Sequence, residues 1–74
     1  MTPDECRALQ RLAHVQRGIA ETLMFAHGFT PELIAGLVLA GLATVETDTA
    51  RVGGQTIKVE LVTITDAGRS AIER

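Results

Sequence analysis

The run ATVETDTARVGGQTIKVELVTI, residues 43–64, has the composition of two β-strands and a turn. Val, Ile and Thr crowd both halves, and such side chains suit a pleated, half-buried surface. Gly53-Gly54 sits between the halves and permits the positive φ angles of a type I′ or II′ turn. The pattern predicts a hairpin that pairs residues 43–52 with residues 55–64. With the turn centred on the two glycines, Thr49 faces Lys58, Asp48 faces Val59 and Val45 faces Val62. Ile57, Val59 and Leu61 then share one face while Val62 and Val45 share the other, so a bulge or burial of both faces is expected.

Upstream of this run, Thr30-Pro31-Glu32 offers a capping hydroxyl, a proline for the first helical position and an acid for the positive end of the helix dipole. Leu33, Ile34, Leu37 and Val38 follow at the spacing of one apolar helix face, so a helix is expected to run to Gly41. Its outward positions are Glu32, Ala35, Gly36, Leu39 and Ala40, which leaves the helix apolar nearly all round. A helix of that kind is normally covered on both sides. The cover comes either from the long N-terminal segment or from a second chain, to which Gly36 and Ala40 allow close approach. These five outward residues are the candidate interface, and a homo-oligomer is the expected state.

Farther upstream, Thr2-Pro3-Asp4-Glu5 repeats the start signal, and Leu9, Leu12, Ala13, Ile19, Ala20, Leu23 and Met24 recur at helical spacing. Gly28 suits a helix end. Gly18 leaves open whether residues 3–27 make one helix or two. Downstream, Thr65-Asp66 starts a short last helix that ends near Arg74, with Ala67, Ala71 and Ile72 as its apolar contribution. The expected architecture is a single α+β domain over residues 1–74.

The segment Leu37-Val38-Leu39-Ala40-Gly41-Leu42-Ala43 resembles the end of the recognition helix and the Gly-Leu step into the wing in MarR-like and PadR-like bacterial regulators. Ile64-Thr65-Asp66-Ala67-Gly68-Arg69 resembles the segment by which those wings enter the next helix. The resemblance covers residues 30–74. It implies a small winged-helix-like domain: helices, a two-stranded β-hairpin wing and a short C-terminal helix, with DNA-binding transcription regulation as the expected function. In such domains the second helix of the helix-turn-helix enters the major groove. Here the outward residues of the helix starting at Thr30 include no Arg, Lys, Asn or Gln to read bases, and Glu32 repels phosphate. The alternative is a non-catalytic protein-interaction or self-association module that uses this helix and binds no DNA.

Seven Lys and Arg against nine Asp and Glu give a net charge of −2, where dedicated nucleic-acid binders are more often basic. Two Phe and no Trp or Tyr leave almost nothing on which bases could stack. The candidate contacts to double-stranded DNA are therefore few. They are Thr30 with the amides of its helix start, Arg51 and Lys58 on the wing among Glu46, Asp48 and Glu60, and Arg7 and Arg11. With His14, the last two fall at i, i+4 and i+7 opposite Leu9, Leu12 and Ala13, a stripe whose plain reading is a solvated face.

Cys6, His14 and His27 lack metal-ligand spacing, and no third residue orients a Cys6–His14 pair for nucleophilic work. Neither a phosphate-binding glycine loop nor a nucleophile elbow is present, and so short a chain leaves little room for a pocket of the usual ~300–1,000 Å³. No enzyme activity, cofactor, metal or small-molecule ligand is expected. The longest apolar stretch, residues 33–43, falls far short of the ~20 residues of a membrane span. The first residues lack the marks of a secretory signal, so a cytoplasmic location is expected.

Overall fold

In the computed structural model, which describes residues 2–73, each of the three start signals opens a helix. Thr2 caps α1 (Pro3–Ala13). Its hydroxyl accepts from the Glu5 amide at 3.2 Å while the Glu5 carboxylate accepts from the Thr2 amide at 3.1 Å. The exchange satisfies amides that a helix start otherwise leaves unpaired. Residues 3–27 are not one helix. α1 stops at Ala13, whose carbonyl accepts from Arg69 at 3.4 Å.

After Gly18 the chain enters the sheet as β1 (Ile19–Ala20) before α2 (Glu21–Ala26) begins. Ile19 and Ala20 fit a helical spacing, yet they pair with Val62 and Leu61 of β3 (Gln55–Ile64). Gly18 admits this strand. At its φ of +93°, a Cβ would lie 2.6 Å from the Thr63 hydroxyl and 3.0 Å from the Val62 carbonyl oxygen, so a side chain there would push β1 off the sheet.

The sheet is antiparallel in the order β1-β3-β2, with β2 at Ala43–Val52 and β3 at Gln55–Ile64. The expected register is found, Thr49 opposite Lys58 and Val45 opposite Val62 included. Gly53 and Gly54 both have positive φ, 58° and 82°, which makes the turn type I′. The expected bulge is absent, because the pairing runs without interruption from Ala43–Ile64 to Val52–Gln55. Burial of both faces is confined to the base, where Val62 is buried and Leu61 on the other face half-buried, while Val52 and Ile57 farther out are exposed. The reason is projection. The molecule measures 44 × 22 × 20 Å, and its radius of gyration of 12.6 Å exceeds the ~11 Å of a compact chain this long. The distal half of the hairpin stands in water, where a twisted ribbon needs no second layer.

The core joins Ala8, Leu9 and Leu12 of α1, Met24 of α2, Ile34 and Leu37 of α3 (Pro31–Leu39), and Ala43, Val62 and Ile64 at the base of the sheet. The buried face of α3 is narrower than its spacing predicts. Val38, expected inward, is 38% exposed, and Leu39 is 89% exposed. The N-terminal segment does not wrap this flank.

α3 ends where the Leu42 amide reaches the Leu37 carbonyl at 2.9 Å and the Gly41 amide reaches the Val38 carbonyl at 3.0 Å, a Schellman closure that turns Leu42 back onto the core. Thr65 completes the corner. Its amide donates to the Leu42 carbonyl at 3.1 Å, its hydroxyl donates to the Gly41 carbonyl at 2.7 Å, and its oxygen accepts from the Gly68 amide at 3.0 Å to start α4 (Asp66–Ile72). Gly68 is forced by this contact, since a Cβ there would overlap the Leu42 carbonyl oxygen. Of the three residues expected to add to the core from α4, Ala71 and Ile72 are half-buried and Ala67 is exposed. Arg74, where that helix was expected to end, lies outside the described residues. Among the described residues no helix is long and apolar enough to cross a membrane.

Candidate nucleic-acid interface

The i, i+4, i+7 spacing turns Arg7, Arg11 and His14 to one side of α1, and the turn between α2 and α3 packs opposite them. Between the two walls runs an open groove of about 530 Å³, lined by Asp4, Arg7, Arg11 and His14 on one side and by His27 and Thr30 on the other. Three of the five candidate nucleic-acid residues, Arg7, Arg11 and Thr30, thus converge on one concavity. Glu32 does not line it. Arg7 and Arg11 against Asp4 leave the lining net positive.

Arg7 reaches Asp4 at 2.7 Å, but both side chains are mostly exposed, and a surface pair of this kind holds its guanidinium only weakly. Arg11 is placed more firmly. Its Nη2 lies 3.3 Å from Nδ1 and 3.1 Å from Nε2 of His27. An atom nearly equidistant from both ring nitrogens in the ring plane would collide with the carbon between them, so the guanidinium sits over the imidazole face. Stacking of this sort orients arginine while leaving its other N–H groups to donate. The Thr30 hydroxyl accepts from the Leu33 amide at 3.1 Å and keeps its own proton to donate. Because Pro31 has no amide, and the Leu33 and Ile34 amides are spent on Thr30, Glu32 holds the free N–H of the first turn of α3.

His27 is the site residue that the sequence conceals. It lies far from Arg11 along the chain, and only the tertiary fold brings them together. A second groove, of about 440 Å³ and more apolar, lies beyond the same ridge and is walled by Val15, Ile19 and Leu23. Both grooves fall within the ~300–1,000 Å³ typical of ligand sites, which corrects the expectation that the chain lacks room for one.

On the hairpin, Arg51 faces Thr56 and Lys58 faces Thr49, and since Arg51 and Thr49 are two apart on one strand, both cations share a face. The same alternation removes two of the three acids expected among them and leaves Glu60 on the shared face. Glu46 and Asp48 lie on the opposite face, and Glu60, nearer the base, accepts from the Thr47 hydroxyl at 2.9 and 3.1 Å. The five candidate interface residues of α3, Glu32, Ala35, Gly36, Leu39 and Ala40, are all exposed. Among the described residues no group of three or more His, Cys, Asp or Glu side chains is placed to hold a metal, and Cys6 is a free, half-buried thiol. Comparison with known proteins finds no matching family, no similar curated protein and no similar solved structure.

Proposed function

We propose that the chain is a winged-helix domain that binds duplex DNA through phosphates rather than base edges. The order α1-β1-α2-α3-β2-β3, the sheet order β1-β3-β2 and the projecting hairpin support the winged-helix reading. So does the corner at which Thr65 joins the two segments that resemble bacterial regulators. The observation that carries the DNA reading is the groove, where Arg7, Arg11 and Thr30 meet at the start of α3 with a net positive lining. Arg51 and Lys58 on one face of the hairpin add two more cations. Phosphate contacts position a protein on DNA without reading sequence, and the outer face of α3 carries no guanidinium or carboxamide to do the reading.

Fluorescence anisotropy with a labelled duplex at low salt tests this. Binding should weaken linearly in a log–log plot against salt, with a slope of about −0.9 per phosphate neutralised. Arg11→Ala should weaken binding and flatten the slope by about one, and duplexes of unrelated sequence should bind alike. Absence of binding at low ionic strength overturns the proposal.

A second reading, self-association through the outer face of α3, is favoured by Leu39. Covering a leucine side chain this exposed is worth about 1.5–3 kcal/mol, and the small residues Ala35, Gly36 and Ala40 around it offer little steric hindrance. Sedimentation should then show a dimer that Leu39→Asp disperses. A monomer at micromolar concentration overturns this second reading.

A further inference from the structure

β2 is an edge of the sheet along its whole length. It has no proline, no lysine and no bulge to blunt that edge, and its protection rests on three charged side chains, Glu46, Asp48 and Arg51. The two-residue turn makes Val52 and Gln55 the first hydrogen-bonded pair. Even-numbered residues from Thr44 to Val52 therefore spend their backbone groups on β3, and Val45, Thr47, Thr49 and Arg51 turn theirs to the open side. At the middle of that side one acid intervenes, for the Asp48 carboxylate accepts from the outward Thr49 amide at 2.8 Å.

We infer that this edge is a pairing surface for a second copy of the chain, in a single antiparallel register, and that Asp48 sets its strength. Two copies of β2 related by a two-fold axis keep their faces aligned, so outward residues must meet outward residues. Registers centred on residue 46, 47, 48 or 51 set Glu46 against Glu46, Glu46 against Asp48, Asp48 against Asp48, or Arg51 against Arg51. Like charges directly opposed across strands are destabilising. A register centred on Val45 uses the base of the strand, where Ala43 is buried and α3 packs. One centred on Ala50 pairs only Asp48 to Val52.

The register centred on Thr49 pairs Glu46 through Val52 and opposes no like charges. It sets Arg51 of the second copy opposite Thr47, whose hydroxyl already donates to Glu60. Cation, hydroxyl and acid then form one row across three strands, and the two-fold axis repeats the row on the other side. That self-complementarity is why the occupant is a second copy. For the central pair to form, each Thr49 amide must leave Asp48 for the opposing Thr49 carbonyl, so Asp48 competes directly with association.

The test compares the sedimentation of the chain with and without Asp48→Ala, both carrying Leu39→Asp so that the outer face of α3 takes no part. Asp48→Ala should associate on the order of ten-fold more tightly. Single cysteines at 47, 49 and 51, in the Cys6→Ser, Asp48→Ala chain, report the register. Thr49→Cys should oxidise to a disulfide-linked dimer fastest, since the ~5.5 Å between Cα atoms of a hydrogen-bonded pair suits a disulfide. All these positions except half-buried Cys6 are exposed, and circular dichroism checks that the fold is kept. An Asp48→Ala chain that sediments like its parent, or cross-linking that is as fast at 47 or 51 as at 49, overturns the inference.

Discussion

Thr65 and Gly68 act together at the corner that joins α3, β2 and α4. The Thr65 hydroxyl donates to one turn of backbone and accepts from another, and the absence of a Cβ at Gly68 lets α4 approach the Leu42 carbonyl. Thr65→Val, which keeps the shape and removes the hydroxyl, should cost about 1–3 kcal/mol in urea unfolding. Gly68→Ala should cost a similar ~1–3 kcal/mol by overpacking, whereas Gly36→Ala, on the exposed side of α3 with open space around it, should stabilise by about 0.5–1 kcal/mol. A corner that tolerates Gly68→Ala would contradict the packing described. Glu5 gives a pH signature of the α1 cap. The Thr2 amide donating to its carboxylate, seconded by the Thr2 hydroxyl, holds Glu5 below the usual carboxylate range. A depressed folded-state pKa stabilises fully above the unfolded value, about 4.3, and that contribution disappears as pH falls through the lowered folded value. The unaltered chain should therefore be more stable than Glu5→Gln at neutral pH, with the difference shrinking in acid.

Among the elements, those with their own local chemistry were legible in sequence. Thr-Pro-acid starts at Thr2 and Thr30 and the Gly53-Gly54 turn depend on neighbours a few residues away, so their outcome is determined before any tertiary contact. β1 was not legible, because two residues carry no periodicity and their strand conformation comes from β3, reached only because Gly18 leaves room. The exposure of Val38 has the same origin, since how wide a stripe α3 buries depends on how far α1 extends across it. Leu37→Ala at the centre of that stripe should cost about 2–5 kcal/mol, while Leu39→Asp should change monomer stability by less than about 0.5 kcal/mol. Equal costs for the two would mean that the outer flank is covered within the protomer.

At the scale of the whole molecule, a net charge of −2 coexists with a net-positive groove because Asp4 is the one acid lining it: Glu46 and Asp48 lie on the far face of the hairpin and Glu32 outside the groove. Overall composition argued against DNA, and only the fold shows where the cations gather. Arg7, Arg11 and Thr30 could be picked out one by one from spacing and capping, but their meeting, and the support Arg11 takes from His27, depend on how the fold sets the turn between α2 and α3 against α1. Titration of the ¹⁵N-labelled chain with a short duplex, followed by amide chemical shifts, examines the groove most directly. The amides of Arg7, Arg11, Thr30, Glu32 and Leu33 should move, with Arg51 and Lys58 following and the shifts collapsing on addition of salt. No movement at low salt, or movement confined to Ala35, Gly36, Leu39 and Ala40, would contradict the DNA reading.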